Sequence, residues 1–253
     1  MTLKVLADSL DVLHSKTNNR RFIMAAKLIR VSPSILAIDY NNDEVLKKEL
    51  AEIELAGANM VHVDVMDGKF VKNSTFDHKF VDKIKDMTTL ILDVHLMVEN
   101  PDAVIESYAK AGADILTVHF EACKDPIKTI KKIKDNNMVA GLAINPKTPV
   151  LKIKDVLDTG LVDMVTVMGV NPGAYGQKFI PGSAEKVAEV RELNDKVYIE
   201  IDGGVTVKNS AILRKLGANV IVSGSTIFEA KNKKKVIKQL KGRCIFTKLN
   251  TLM

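Results

Sequence analysis

The sequence predicts a single (β/α)₈ barrel, and three observations carry this prediction. The chain has 253 residues, of which 46% are apolar and 27% charged, values typical of one globular α/β barrel. A helical stretch followed by glycine and a short β-branched run recurs along the chain. Eight such runs can be placed, and parallel strands need crossovers between them, so the pattern favours a closed barrel over an open doubly wound sheet.

The recurring unit is clearest at three glycines. Gly57 precedes the run MVHVD, Gly112 precedes ILTVHF and Gly217 precedes VIVSG, with a looser copy at Gly160 before MVTVMG. Glycine suits the left-handed position that follows a helix. Each run after it is short and β-branched, as expected of a buried parallel strand.

The repeat sets the strands and the domain limits. We predict a barrel over residues 31–241, an N-terminal extension over 1–30 and a C-terminal tail over 242–253. Met24 offers an alternative start, which would leave 1–23 outside the native chain. The eight strands are predicted at 33–38, 60–64, 90–95, 115–120, 139–144, 164–168, 198–202 and 220–223.

The charge distribution argues against a nucleic-acid partner. The net charge is +6, but the two ends (1–30 and 231–253) hold +12 between them, which leaves −6 on residues 31–230. An acidic body lacks the basic stripe that phosphate-backbone binding needs. The basic segment 231–253 can alternatively bind RNA or a membrane surface, but Val236, Ile237 and Leu240 favour a last helix that packs on the barrel while its lysines face solvent.

Targeting and redox signals favour the cytoplasm. No apolar run approaches the roughly 20 residues of a membrane-spanning helix, and the N-terminus lacks the apolar core of a secretory signal. A transit peptide within 1–30 stays open. Cys123 and Cys244 have no metal-ligand spacing and imply no disulfide framework, as expected of a protein in a reducing compartment.

Polar residues finish the predicted strands, where barrel enzymes carry their active sites. Because strand side chains alternate, His62 and Asp64 on strand 2 share one face with Met66, and His95 on strand 3 shares one with Met97. With Asp202 on strand 7, two imidazoles and two carboxylates can converge. Such a set suits Zn²⁺, Fe²⁺, Mn²⁺ or Co²⁺ better than Ca²⁺, although a buried histidine bonded to a carbonyl is the commoner fate of any one of them.

Two further features lie at the same strand ends. Gly203-Gly204 and Gly224-Ser225 follow strands 7 and 8, where barrels commonly bind phosphate; tight turns are the alternative explanation. The loop after strand 6 adds two more glycines, at 173 and 176. Methionines stand at the ends of strands 2, 3 and 6 and suggest a dry, polarizable lining, although methionine is usually core filler.

Together these segments resemble the ribulose-phosphate 3-epimerase family, and the likeness covers about 31–230. The matching segments are SPSIL (32–36), HVDVMDG (62–68), DVHLMVENP (93–101), GLAINPKTP (141–149), NPGAYGQKFI (171–180), IDGGV (201–205) and VSGSTIF (222–228).

The resemblance implies an enzyme of the pentose phosphate pathway that epimerises D-ribulose 5-phosphate to D-xylulose 5-phosphate at C3 through an ene-diolate. It implies one divalent metal, with zinc as first choice, and a phosphorylated ketose as the partner. We also expect a homo-oligomer whose state no sequence patch specifies, and neither a nucleic-acid nor a membrane partner. The implied roles are metal ligation by His62, Asp64, His95 and Asp202; acid/base chemistry by Asp64 and Asp202; substrate contacts at Ser34, His95, Met66, Met97 and Met168; and phosphate contacts at Gly173, Ala174, Tyr175, Gly176, Gly203, Gly204, Gly224 and Ser225.

The chain departs from the family pattern in the loop after strand 6. Ala174 and Tyr175 stand where members usually have Phe and Gly, and Gly169 stands where Ser or Thr is usual. Tyrosine cannot adopt positive φ as cheaply as glycine, so the loop contacts and the exact sugar stay open. The alternatives are an allulose 6-phosphate 3-epimerase and a non-catalytic phosphosugar-binding barrel.

Overall fold

Eight parallel strands form one sheet that curls into a barrel in the computed structural model, which describes residues 28–242. Their ladders run in the order β1-β8-β7-β6-β5-β4-β3-β2, and a parallel bridge between Ser34 and His62 joins β1 to β2. The predicted (β/α)₈ barrel is therefore confirmed. The strands are β1 (Arg30–Pro33), β2 (Met60–Met66), β3 (Ile91–Met97), β4 (Ile115–His119), β5 (Val139–Ile144), β6 (Met164–Met168), β7 (Tyr198–Asp202) and β8 (Val220–Ser223).

Helices surround the strands and begin where the sequence supplies caps. The side chains of Asn42, Asp77, Asp125 and Thr206 each accept a backbone N–H of the first turn, which satisfies a donor that the helix leaves unpaired. The helices are α1 (Asp43–Leu55), α2 (His78–Lys85), α3 (Ile105–Lys110), α4 (Pro126–Asp135), α5 (Lys154–Asp158), α6 (Gly182–Leu193), α7 (Val207–Lys215), α8 (Ser225–Phe228) and α9 (Lys233–Lys241). None of the helices in this part of the chain is long and apolar enough to cross a membrane.

The first strand lies earlier than predicted. β1 occupies Arg30–Pro33 rather than 33–38, and Ile35–Ala37 forms a 3-10 turn. Arg30, which the sequence pattern left in the extension, pairs with Val220 and is only 5% exposed. Its guanidinium lies 4.8 Å from the centre of the Tyr198 ring, and this cation–π contact helps to accommodate a charged residue in a buried strand.

The chain ends are only partly described. Residues 1–27 and 243–253, with most of the predicted extension and tail and with Cys244, lie outside the described residues. The predicted last helix is α9, on which Ile237 and Leu240 are buried and Val236 packs against the core.

The barrel interior is layered, and its polarity rises toward the carboxyl ends of the strands. The lowest layer is apolar, with Met60, Ile91, Ile115, Val139, Met164, Tyr198 and Val220 in one cluster. Two residues further along each strand, the inward side chains of the middle layer include Ser32, His62, Asp93, Thr117, Thr166 and Glu200, all fully buried. The next inward positions are Ser34, Asp64, His95, His119, Met168 and Asp202. Period-two alternation thus carries the titratable groups to the mouth of the barrel.

Candidate active site

Four side chains converge at the centre of the barrel mouth. His62 Nε2 lies 3.3 Å from Asp64 Oδ1 and 3.8 Å from Asp202 Oδ2. His95 Nδ1 lies 3.4 Å and 3.5 Å from the same two carboxylate oxygens. The four possible ligand atoms lie within 4.8 Å of one another, and all four residues are buried. The structure therefore brings together the whole set that the sequence suggested as metal ligands.

Each of the two imidazoles has one ring nitrogen that faces the carboxylates and makes no hydrogen bond. Among residues 28–242, His62 Nε2 and His95 Nδ1 are buried side-chain nitrogens without a hydrogen-bond partner. Buried polar atoms are normally satisfied, so two such nitrogens aimed at two carboxylates form a site with the donor set of a divalent cation.

Electrostatics of the cluster favour a positive charge at its centre. Burial alone would lower the pKa of His62, but Asp64 and Asp93 raise it well above its usual value. Burial would raise the pKa of Asp64, but His62 and His95 hold it below its usual range. The pKa of His95 is raised against burial by Asp202 and Asp64. Close carboxylates thus attract a cation, either a proton on the imidazoles or a metal ion.

A second set of side chains orients the first. Asp93 Oδ2 lies 2.8 Å from His62 Nδ1 and accepts a hydrogen bond from Ser32 Oγ at 2.8 Å. Ser34 Oγ donates to Asp64 Oδ2 at 2.7 Å, so Ser34, predicted as a substrate contact, also holds a carboxylate. Asp93 was not among the predicted site residues, although its place two residues before His95 on the same strand face was the available signal.

The predicted binding residues surround one cavity above the cluster. Its volume is about 410 Å³, ample for a small phosphorylated sugar. His62 and His95 are fully buried and are not among its lining residues. The predicted residues that do line it are Ser34, Asp64, Met66, Met97, Met168, Gly173, Ala174, Tyr175, Gly176, Asp202, Gly203, Gly204, Gly224 and Ser225.

Glycine is required at one wall of this cavity. Gly203 and Gly204 have φ values of 105° and 67°, which favour glycine. A Cβ at Gly204 would lie 2.5 Å from the backbone nitrogen of Phe179, and one at Gly203 would lie 2.4 Å from Val170 Cγ2. These glycines therefore do more than turn the chain, because they let the loop after β6 pack directly against the end of β7.

The two loops that cover the cavity contact each other. Asn73 Nδ2, in the loop after β2, donates to the Gly173 carbonyl at 2.7 Å. Gln177 Nε2 donates to the Ala174 carbonyl at 2.9 Å. Neither Asn73 nor Gln177 was predicted. The Asn73 contact depends on how two distant loops meet, and the Gln177 contact lies within the β6 loop and depends on the path of that loop.

The unusual residues of the β6 loop are accommodated without backbone strain. Positive φ falls on Gly173 (113°) and Gly176 (77°), whereas the one non-glycine residue with positive φ in the described chain is Asn137. Tyr175 therefore does not need the conformation that tyrosine disfavours, and its side chain is 61% exposed at the rim. A Cβ at Gly169 would lie 2.3 Å from the Gly203 carbonyl oxygen, so a serine or threonine there would require the backbone to shift.

Comparison with known proteins identifies the family. Residues 30–228 match the model of the Ribulose-phosphate 3 epimerase family. The chain is 43% identical over 220 residues to the ribulose-phosphate 3-epimerase of Bacillus subtilis, a match that covers 85% of this chain and 99% of that protein. It is 41% identical to the chloroplastic ribulose-5-phosphate-3-epimerase of Arabidopsis thaliana, covering 84% of this chain and 76% of that protein.

A solved structure supports the architecture. The crystal structure of a 3-hexulose-6-phosphate synthase superposes with a TM-score of 0.60 at 17% identity, covering 85% of this chain and 98% of that one. At this identity the likeness shows the fold alone. The family match and the two relatives lead to a firmer conclusion: the chain belongs to the ribulose-phosphate 3-epimerase family.

Proposed function

We propose that this protein interconverts D-ribulose 5-phosphate and D-xylulose 5-phosphate by inverting C3. The observation that carries the proposal is the pair of buried carboxylates, Asp64 on β2 and Asp202 on β7, that face one cavity from strands three steps apart around the barrel. Inversion needs a group on each side of the reacting carbon, because one base on one face returns the proton to the face it came from.

The two aspartates divide the proton transfers. One carboxylate removes the C3 proton. The electron pair of the broken C–H bond forms the C2–C3 double bond of an ene-diolate, and the π pair of the C2 carbonyl moves onto its oxygen. The opposite carboxylic acid then delivers a proton to the other face of C3. The roles exchange in the reverse direction. Ser34, whose hydroxyl donates to Asp64 Oδ2, holds that carboxylate in place for the transfer.

The same four residues are the proposed ligands of one divalent cation, for which zinc is our first choice and Fe²⁺, Mn²⁺ or Co²⁺ are alternatives. The support is the pair of buried, unpartnered ring nitrogens that face Asp64 and Asp202. When bound, the cation would supply Lewis acidity that stabilises the negative charge developing on the substrate oxygens. Asp93 keeps Nδ1 of His62 occupied at 2.8 Å, which leaves Nε2 free to ligate.

We assign the phosphate to the wall formed by Gly203, Gly204, Gly224 and Ser225, with the 173–176 loop above it. These residues line the cavity together with Lys178, and backbone N–H groups of such loops bind phosphate in many barrels. Met66, Met97 and Met168 also line the cavity, where they would keep water from the reacting carbon. The reaction needs that dry surface because an exposed ene-diolate is readily reprotonated by solvent.

Location and assembly remain predictions. We expect a cytoplasmic homo-oligomer, in keeping with the free thiol of Cys123 and the absence of a disulfide framework in the sequence. Size-exclusion chromatography with light scattering tests the assembly directly.

The test is a coupled epimerase assay on purified protein, before and after chelation, with Asp64→Asn and Asp202→Asn. Each variant should lose at least about 10²-fold in kcat, the usual contribution of a general acid or base. Chelation should abolish turnover and added zinc should restore it. Asp82→Asn, an exposed change on α2, is the matched control and should retain full activity. Both site variants retaining more than a few per cent of activity would exclude the two-base scheme.

The residues of the β6 loop make a six-carbon ketose phosphate the second candidate substrate. Ala174 and Tyr175, which differ from the residues usual in the family, both line the cavity and alter its wall. Allulose 6-phosphate should therefore be assayed beside ribulose 5-phosphate. Turnover of the hexose phosphate alone would keep the chemistry and replace the substrate. No turnover of either by folded, zinc-loaded protein would favour a phosphosugar-binding barrel.

A further inference from the structure

His119 lies against the candidate metal site but has no role in the proposed chemistry. It ends β4 and is fully buried. Its ring stacks on that of His95, with centroids 4.9 Å apart and planes inclined by 25°. The Nε2 atoms of the two rings are 2.9 Å apart. Two ring nitrogens at this distance form a hydrogen bond only when one carries a hydrogen and the other does not.

The position of the candidate metal site decides the direction of this hydrogen bond. His95 presents Nδ1 to Asp64 and Asp202, at 3.4 and 3.5 Å. An imidazole nitrogen that ligates a metal carries no hydrogen, so the hydrogen of neutral His95 is on Nε2. His95 Nε2–H therefore donates to His119 Nε2. The hydrogen of His119 is then on Nδ1, which lies 3.4 Å from Glu121 Oε2.

Glu121 is itself fixed by the loop after β5. Its Oε1 accepts the backbone N–H of Asn145 at 2.9 Å and the Thr148 hydroxyl. The loop is held in turn by Lys186, whose Nζ donates to the Asn145 carbonyl at 2.7 Å. With Oε1 occupied by two donors, Oε2 is the oxygen left for His119. A continuous hydrogen-bonded chain thus runs from an outer helix to the ring of His95.

We propose that His119, held by Glu121, is a positioning residue that fixes His95 as an Nδ1 ligand of the divalent cation. The inference rests on the proposed function, because it needs a cation at the four-residue site. Without an acceptor at His119, the N–H of His95 would be buried and unpaired, a state that proteins avoid. Removal of such an outer partner typically weakens metal binding by about 10–100-fold.

Three substitutions separate positioning from simple packing. His119→Leu removes the acceptor for His95. His119→Gln keeps an acceptor oxygen for His95 and an amide donor for Glu121. Glu121→Gln is nearly isosteric, but its oxygen is held by the Asn145 N–H, so its amide group turns toward His119 Nδ1. The hydrogen of His119 must then move to Nε2, where it meets the N–H of His95 donor to donor.

The measurements are the zinc dissociation constant, by competition with a chelator, and the tautomer of His119, by long-range ¹H–¹⁵N NMR of the zinc-loaded protein. We expect the wild-type hydrogen on Nδ1. His119→Leu and Glu121→Gln should each weaken zinc binding by about 10–100-fold, with a smaller loss for His119→Gln. Glu192→Gln, exposed on α6, is the matched control. Thermal unfolding of the metal-free variants identifies any that fail to fold, and the isosteric Glu121→Gln then carries the test.

The outcomes distinguish this inference from the proposed function. Wild-type protein that binds zinc with His119 protonated on Nε2, or with an affinity that Glu121→Gln leaves unchanged, overturns the positioning role and leaves the four-residue site standing. Wild-type protein that binds no zinc and shows no epimerase activity overturns both. Zinc binding that is weakened in Glu121→Gln and His119→Leu but largely kept in His119→Gln supports the inference, because a packing role would not distinguish the two substitutions of His119.

Discussion

Lys186 provides a quantitative test of how the loop beside the active site is held. It lies on α6, is 7% exposed, and its Nζ donates to the carbonyls of Asn145, Pro146 and Thr148. Burial lowers its pKa, which means that burying the ammonium charge costs free energy. The three hydrogen bonds offset that cost. Lys186→Met keeps most of the stem volume and removes all three donors.

The expected loss follows from the number and exposure of the bonds. Hydrogen bonds from a charged donor contribute about 1.5–3 kcal/mol each when fully buried. Here the three residues whose carbonyls accept these bonds are half-buried, so in the variant water can replace part of each lost bond. Removing the buried charge also removes its desolvation cost, which offsets a further part of the loss. We therefore expect Lys186→Met to lower the free energy of unfolding by about 2–4 kcal/mol.

Urea unfolding at pH 7 measures this difference. Lys234→Met, an exposed change on α9, is the control and should stay within about 0.5 kcal/mol of wild type. The midpoint of thermal unfolding should fall by roughly 4–16 °C for Lys186→Met, given about 2–4 °C per kcal/mol for a chain of this size. A loss below about 1 kcal/mol would show that water satisfies the carbonyls and that the ammonium does not hold the loop.

Two further predictions concern stability. Burial would raise the pKa of Glu121, but hydrogen bonds from His119, Thr148 and Asn145 lower it to about 2. A carboxyl group with a lowered pKa stabilises the folded state at pH values above its ordinary pKa, and this stabilisation is lost as the pH falls toward 2. The difference in unfolding free energy between wild type and Glu121→Gln should therefore shrink by at most about 3 kcal/mol from pH 6 to pH 2. A difference that does not change with pH would contradict this. At Gly141, a Cβ would lie 2.1 Å from Thr117 Oγ1, so Gly141→Ala should cost about 1–3 kcal/mol in urea unfolding. Thr117→Ala should recover part of that cost in the double variant, and strictly additive losses would exclude this contact as the cause.

Local signals in the sequence were enough to predict the architecture. The glycines at 57, 112, 160 and 217 all have positive φ, as predicted for residues that end a helix before a strand. Seven of the eight strands lie close to their predicted positions because each is a short apolar run bounded by such a signal. The first strand was misplaced because a charged residue such as Arg30 is not expected to begin a buried strand. Arg30 packs against Tyr198, which lies 168 residues away in the chain.

The candidate site also has a part that local sequence signals predict and a part that they do not. His62, Asp64, His95 and Asp202 could be predicted because period two and the carboxyl ends of strands place them at one mouth. The contacts of His119 and Asn73 could not, because they depend on how side chains from different strands and loops meet in three dimensions. Glycine patterns located the cavity wall, but they gave no indication that the wall packs against the loop before α6.

The polar middle layer of the barrel shows how the fold supports the site. Burial and the nearby Asp93 raise the pKa of Glu200 well above its usual value, which favours a protonated Glu200 carboxyl beside the Asp93 carboxylate. Without that proton, Asp93 Oδ1 and Glu200 Oε2 are both buried and unpartnered. A proton held between the two carboxyl groups would satisfy both atoms and leave one negative charge on this pair, on Asp93 beneath His62. A buried charge is tolerated only when it is fully hydrogen-bonded. The same condition keeps the His62 ring in one orientation, so the interactions that make a charged interior stable also set the geometry of the proposed metal site.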